Sequence, residues 1–227
     1  MAEFDKFAKD FRTLHNQNLQ FTGFNTFYFL HLKMQWLQRY EENAPLQVLD
    51  FGCGDGYTEE YMHCYFSNWQ VQAIDVSAHS IAEAKKRNAP NAVFSCFNGS
   101  KLMFEDDSFD VVFIACVFHH IPTKQHATLL KEIHRVLKKG GRVYMFEHNV
   151  FNPLTKYLVK TCAFDENAIL QSAGYFKKIF KQQKLIPVVT NYLIFFPGWR
   201  LFKPLLRLEK YLSWLPLGGQ YLIKAVK

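Results

Sequence analysis

The sequence has no apolar run approaching the ~18 residues of a membrane-spanning helix. Its longest apolar stretches, VVFIACVF and YLIFF, are strand-sized. The first residues, MAEFDKFAKDF, mix charges and lack the apolar centre of a signal peptide. Cysteine is sparse: five residues, an odd number, with no C-x-x-C spacing. That excludes a disulfide framework or a thiolate metal knuckle and predicts reduced thiols in a cytoplasmic protein. No metal cluster is evident among the nine scattered histidines. No repeat, linker or low-complexity stretch breaks the chain, so residues 1–227 read as a single domain with added ends. Carboxylates are scarce at one end. Residues 151–227 hold three Asp and Glu against 12 Lys and Arg, whereas residues 1–150 hold 17 against 15. The net charge of +7 therefore sits in the last third, and such asymmetry calls for a partner.

What is present is an alternation of strand and helix patterns. LQVLDF, VQAIDV, AVFSCF, FDVVFIACVF and RVYMFE read as strands. YTEEYMHCYF, SAHSIAEAKKRN and PTKQHATLLKEIHRVLKK read as helices between them. Ser77 is the expected N-cap of the second helix, and the Gly140-Gly141 pair is the expected end of the third. This alternation predicts an α/β fold, a mostly parallel sheet with helices on both faces. Beyond it, 153–162 and 165–184 look mainly helical, LIPVVTNYLIFF and GQYLIKAV look like strands, and a basic helical segment, 199–215, lies between those two.

The turn after the first strand is the most informative stretch. VLDFGCGDGY places Gly52, Gly54 and Gly56 at alternate positions, with Tyr57 where a dinucleotide fingerprint has its last glycine. Asp50 and Asp55 bring two carboxylates to a turn that a pyrophosphate would need uncharged or basic. They suit a ligand with an ammonium or sulfonium group, and the turn leaves backbone N–H groups for a carboxylate. S-adenosylmethionine has those charges and no phosphate. Asp75, closing the second strand, is placed to bind both ribose hydroxyls. Cys53, between two glycines, reads as a space-filler.

VLDFGCGDG, IDVS, LMFEDDSFDVVFIACVFHHI and LLKEIHRVLKKGGRVYMFE together resemble the class I S-adenosylmethionine-dependent methyltransferases. The similarity is to the small-molecule type that includes the ubiquinone and menaquinone enzymes, and it covers roughly residues 45–147. It implies a Rossmann-like seven-stranded sheet with an N-terminal helical cap (1–44), a cofactor-binding core (45–150) and a basic C-terminal part (151–227). FDKFAKDF resembles the family's helix that covers the cofactor. The tail, from EHNVFNPLTKY to WLPLGGQYLI, is similar to a bacterial subgroup often found beside polysaccharide and lipid-linked sugar genes. By position, the resemblance puts Asp50, Gly52, Cys53 and Gly54 around the methionine end and Asp75 with Val76 at the ribose. Asn98 stands where the family has an acidic residue for the adenine amine, a departure, with Gly99 offering its N–H beside it. Ala115, Cys116 and Val117 would lie along the ligand.

Methyl transfer from a sulfonium needs alignment and exclusion of water, and a base only if the acceptor must lose a proton. Candidate groups sit at strand exits: His119-His120 after the fourth strand, and Glu147-His148-Asn149 after the fifth. His148, or failing it His119, is expected as base or acceptor-positioning group, with Glu147 beside them. The competing readings are a core role for His120 and a capping role for Asn149.

On a helix, Arg200, Lys203, Arg207 and Lys210 would share one face, with Leu201, Leu205, Leu208, Leu212 and Leu215 opposite and packed on the core. Trp199, Tyr211 and Trp214 map beside the basic residues, a pattern suited to an anionic membrane surface or a lipid-phosphate acceptor. Pro204 would kink the segment or start a second helix. The leading expectation is a methyltransferase for a small or lipid-linked acceptor, cytoplasmic and peripheral at the membrane through 199–215. An RNA or protein methyltransferase, and a non-catalytic S-adenosylmethionine-binding subunit, are the alternatives. With no RNA-binding module in view, no nucleic-acid partner is expected.

Overall fold

A computed structural model describes residues 11–227; most of the FDKFAKDF segment lies outside the described residues. The elements are α1 (Phe11–Leu19), α2 (Thr26–Leu37), β1 (Gln47–Phe51), α3 (Tyr57–Tyr65), β2 (Gln70–Asp75), α4 (Ala78–Ala84), β3 (Ala92–Cys96) and β4 (Phe109–Ala115). Then come α5 (Thr123–Val136), β5 (Leu137–His148), α6 (Pro153–Thr161), α7 (Ala173–Gln182), β6 (Ile186–Leu193), the short α8 (Lys203–Leu206) and α9 (Glu209–Leu212), and β7 (Gln220–Val226). The seven strands lie in the order β3-β2-β1-β4-β5-β7-β6. β1 to β5 run parallel, and β7 enters antiparallel between β5 and β6. The chain has the expected α/β, Rossmann-like, seven-stranded sheet.

Strand alternation divides the core into two halves. In β1, Leu49 and Phe51 face α5 and α7, where Leu130, Ile133, Phe176 and Phe180 are buried. Val48 faces the other way, onto Met34 and Leu37 of α2 and Met62 of α3. The two-residue period of an extended chain sends successive side chains to opposite faces, so Asp50 falls on the α3 side with Val48. At the far margin Glu41 is buried, accepting hydrogen bonds from Tyr144 Oη and from the Arg142 guanidinium, whose Nε lies 2.8 Å away. It fastens the end of the cap region to β5.

Three local expectations change. Gly140-Gly141 does not end α5: the helix stops at Val136, and fully buried Leu137 is already in β5, paired with Phe109. The residues that follow bulge before Arg142 pairs with Val111, and Gly140 supplies the positive φ of 74° that the bulge requires. Residues 165–172 are not helical. Ile169 N donates to His119 O at 2.8 Å and Ser172 caps α7, so a tertiary contact holds this stretch instead. The segment 199–215 is not one amphipathic helix but a 3-10 turn, Arg200–Phe202, followed by α8 and α9. Pro204 sits at the start of α8. The leucine stripe is divided: Leu201 is 81% and Leu208 47% exposed, while Leu205, Leu212 and Leu215 are half-buried and none of the five joins the buried core. Among the described residues no helix is long and apolar enough to cross a membrane.

Glu41→Ala strips both Arg142 and Tyr144 of their acceptor. Because the guanidinium is partly solvated, the expected loss is about 3 kcal/mol, the low end for breaking a buried ion pair. It is read as a lower denaturant midpoint at unchanged slope; an unaltered midpoint would remove this cluster from the account of stability.

Candidate functional site

The carboxyl ends of β1, β2, β4 and β5 open into a cavity of about 500 Å3, roofed by α1, α2 and α6. That volume suits a small molecule. Gly52, Cys53, Gly54, Asp75, Val76, Gly99, Ala115, Cys116, His119 and His148 all line it. Asp50, Asn98 and Glu147, also singled out from sequence, do not.

Each glycine of the turn meets a different constraint. All three have positive φ. A Cβ on Gly52 would lie 2.4 Å from Val117 Cγ2, and one on Gly56 2.8 Å from Ala84 Cα. A Cβ on Gly54 would meet no protein atom within 4 Å. Gly54 therefore borders the cavity with bare backbone, where a ligand can approach closely. The amides of the turn are less available than expected. Gly52 N and Cys53 N donate to Ile74 O, and Gly54 N donates to Asp75 Oδ2 at 2.9 Å. Asp75 Oδ1 accepts from Ser77 N at 2.8 Å. Asp75 therefore borders the cavity with a carboxylate whose orientation two backbone amides fix.

The two carboxylates of the turn meet opposite surroundings. Asp55 accepts from Arg12 Nε at 2.7 Å, an ion pair on the cavity wall. Asp50 lies behind the turn against Glu59 of α3, both carboxyls buried and neither facing a cation among the described residues. Burial pushes Asp50 up to about 7, against the lowering contact with Glu59. Burial and the charge of Asp50 push Glu59 well above the carboxylate range. Two buried acids beneath the turn, each raised by burial and by the other, make a neighbourhood in which a nearby cation is favoured.

Asn98 is spent locally. Its Oδ1 accepts from Ser100 N and Ser100 Oγ, and its side chain is exposed, while Gly99 reaches the cavity. Cys116, at the end of β4, holds φ of 58°, a conformation costing about 1–3 kcal/mol and concentrated at functional sites.

The other end of the cavity is built around Glu147. Its Oε1 accepts from Val117 N (3.0 Å) and Phe118 N (2.7 Å), and Oε2 lies 2.7 Å from His119 Nδ1. Asp165, from the stretch between α6 and α7, approaches from the opposite side: its Oδ1 is 3.7 Å from His119 Nε2 and 3.3 Å from His120 Nε2. Burial would lower the His119 pKa, but Glu147 and Asp165 outweigh it and raise it to about 10. Burial would raise the two acids, yet His119 brings each down to about 2. Burial, and then the charge on His119, lower His148 to about 4 and His120 to about 3. His119 is thus cationic and His148 neutral, so His148 is the candidate able to accept a proton. Asn149 does not cap α6; Asn152 does. Buried Asn149 instead donates to Pro216 O and Gly218 O, tying down the approach to β7.

Several cavity residues escaped the sequence reading. Asp165 lies 46 residues beyond His119, at the start of the 165–184 stretch that reads as helical, with nothing in the spacing to tie it to the histidines. Lys33 does leave a trace, as the one charged residue in the apolar helix TFYFLHLKMQWL. It is 6% exposed, faces the cavity, and has its ammonium 5.9 Å from the Phe29 and Phe146 ring centres. Burial lowers its pKa against the opposing pull of Cys116 and Glu147. His15, its pKa lowered to about 4 by burial and Arg12, completes the roof.

Comparison with known proteins gives this geometry its context. Residues 49–145 match a family model described as a methyltransferase domain. The chain is 29% identical over 157 residues to the malonyl-[acyl-carrier protein] O-methyltransferase of Bacillus cytotoxicus, covering 68% of this chain and 54% of that protein. It is 34% identical over 116 residues to the demethylmenaquinone methyltransferase of Lactococcus lactis, covering 49% and 45%. The chain thus spans about half the length of the curated relatives it matches. Its fold superposes on Haemonchus contortus phosphoethanolamine N-methyltransferase 2 in complex with S-adenosyl-L-methionine. The TM-score is 0.69 at 19% identity, over 100% of this chain and 60% of that one. The sheet order agrees with these likenesses: residues 49–145 match a methyltransferase domain, and the fold around them is that of the class I S-adenosylmethionine-dependent methyltransferases.

Proposed function

We propose that the chain transfers a methyl group from S-adenosylmethionine to a small or lipid-linked acceptor, leaving S-adenosylhomocysteine. The observation that carries this reading is the continuity of one cavity, from the glycine turn and Asp75 at one end to His148, Lys33 and the apolar side of α6 at the other. In this reading Asp75 holds the ribose, Gly54 admits the methionine portion, Arg12 meets its carboxylate, and the buried acids beneath the turn favour its ammonium. Gly99, Ala115 and Cys116 line the remaining length of the cofactor. The cofactor supplies an activated methyl group; the protein's part is to align the acceptor and exclude water. Where the acceptor must lose a proton, neutral His148 takes it, and Glu147 acts by orienting His119. Lys33 offers a cation to an anionic acceptor, and the names of the relatives, a malonyl-carrier and a menaquinone enzyme, support small acceptors with acidic or apolar parts.

The surface beside the cavity supports a lipid-linked acceptor. Leu154 both lines the cavity and is exposed, so it marks an opening. Around it Phe151, just before α6, and Tyr157, Lys156 and Lys160 on α6 stand in solvent. Asn152 Nδ2 donates to Leu217 O, and Trp199 Nε1 donates to Phe21 O, which joins this face to the 199–217 segment. There Tyr211 is 65% and Trp214 72% exposed beside the exposed cations Arg200, Lys203, Arg207 and Lys210. Exposed aromatics among cations suit an anionic bilayer interface.

With methyl-labelled S-adenosylmethionine and an extract of the source cells, label is expected in the organic-soluble fraction. Label confined to RNA or protein would replace the acceptor class, and failure to bind the cofactor would overturn the reading. Asp75→Ala removes two charge-assisted bonds to the cofactor, so its affinity should fall at least ~10-fold, measured by calorimetry. His148→Ala should lower kcat by ~100-fold or more if it accepts the proton; full turnover would dismiss it. In vesicle sedimentation the chain should favour anionic over neutral vesicles, and Lys203→Glu with Lys210→Glu should abolish that preference. Equal binding to both vesicle types would sink the electrostatic part.

A further inference from the structure

We propose that His119, His120 and Asp165 form a binding site for a divalent transition-metal ion at the acceptor end of the cavity, with Glu147 holding His119 in the ligating orientation. The site is assembled from three parts of the chain. The 3-10 turn Phe118–His120 brings two successive imidazoles off the end of β4, the stretch after α6 brings Asp165, and β5 brings Glu147. One donor atom from each of the three ligands lies within 4.8 Å of the others. Bonds of about 2.1 Å to a tetrahedral ion put neighbouring donors about 3.4 Å apart. Asp165 Oδ1 lies 3.3 Å from His120 Nε2 and 3.7 Å from His119 Nε2, spacings that bracket this edge.

The histidine orientation is set before any ion arrives. Glu147 takes His119 Nδ1, leaving Nε2 turned to Asp165, and Glu147 is itself pinned by two backbone amides. A carboxylate that takes one ring nitrogen while the other ligates is the usual support of a metal-bound histidine. The stretch carrying Asp165 is fixed too, through the bond from Ile169 N to His119 O. Two carboxylates converging on one imidazole favour a cation between them, and a bound ion would occupy the place that a proton on Nε2 holds otherwise. The second and third donors are another nitrogen and an oxygen, a set that suits Zn2+, Fe2+ or Co2+ rather than the all-oxygen preference of Mg2+ or Ca2+.

All three ligands line the cavity, which leaves the remaining coordination position open to it. His148, with its ring 4.9 Å from that of His119, borders the same space. An ion here would select acceptors that carry an oxygen or nitrogen donor. That consequence rests on the methyl-transfer reading; the site itself does not.

The test uses the tag-free full chain, stripped with chelator and titrated with Co2+ and then Zn2+ near neutral pH. The expected result is a single ion per chain, with the strong visible absorption of tetrahedral Co2+ and its loss when Zn2+ competes. His120→Ala and Asp165→Asn should each abolish the tetrahedral spectrum, and Glu147→Gln should weaken binding by ~10–100-fold. Circular dichroism of the same samples reports whether each variant is folded, and their S-adenosylmethionine affinity tests the methyl-transfer reading separately. No stoichiometric binding by the parent chain, or the same spectrum from folded His120→Ala and Asp165→Asn, would overturn the site and leave a proton-bridged cluster. Metal binding without S-adenosylmethionine binding would instead count against the methyl-transfer reading and leave the metal site standing.

Discussion

The geometry of the cavity depends on one buried carboxylate. Glu147 stands at the end of β5, yet its three hydrogen-bond partners belong to the turn after β4. Burial alone would raise its pKa, and only the ionised carboxylate accepts with full strength from two amides and an imidazole. The cation on His119 keeps it charged. Charge on one residue therefore secures charge on the other, and their mutual attraction shapes the backbone from Val117 to His119. Asp165 extends the arrangement to the stretch before α7, and His126 supports it from below by hydrogen bonding to Phe118 O and Ile121 O.

The two ends of the cavity meet different demands. At the glycine turn Gly54 presents bare backbone, and the amides of Gly52, Cys53 and Gly54 are tied to β2, so the surface is firm. At the histidine end the wall is made of side chains, and its chemistry comes from titratable groups held in fixed protonation states. A firm backbone cradle suits a ligand that is the same in every turnover. A wall of side chains is where an acceptor of particular chemistry is distinguished.

Much of the first end was legible from sequence because it is local. Asp50, the three glycines and Asp75 lie within 26 residues, and period-two patterning placed them on strand ends. Even there, local reading misjudged charge: Asp55 is matched by Arg12 from α1, while Asp50 is buried against a second acid, Glu59, in the first turn of α3. The histidine end was legible only in halves. HHI and EHN marked two strand exits, but the pairing of Glu147 with His119 follows from β4 and β5 being neighbours. Asp165 had no local signal at all. The Gly-Gly pair misled because a tightly buried Leu137 starts the strand before the glycines arrive. The 199–215 stripe misled because spacing cannot tell a leucine that packs on a core from one that stands in solvent.

The position of β7 has a consequence for how the sheet is completed. β6 is hydrogen-bonded to β7 alone, and β7 lies between it and β5. β6 therefore has no place in the sheet until the strand synthesised after it arrives. Until then the β5 edge is an unpaired row of amides and carbonyls, open to any extended segment that reaches it. The last of the seven strands to leave the ribosome acts as a keystone. It closes the edge of the nearly finished sheet and, through Gly218 and Gly219, delivers the backbone that Asn149 and Thr155 clamp beside the cavity.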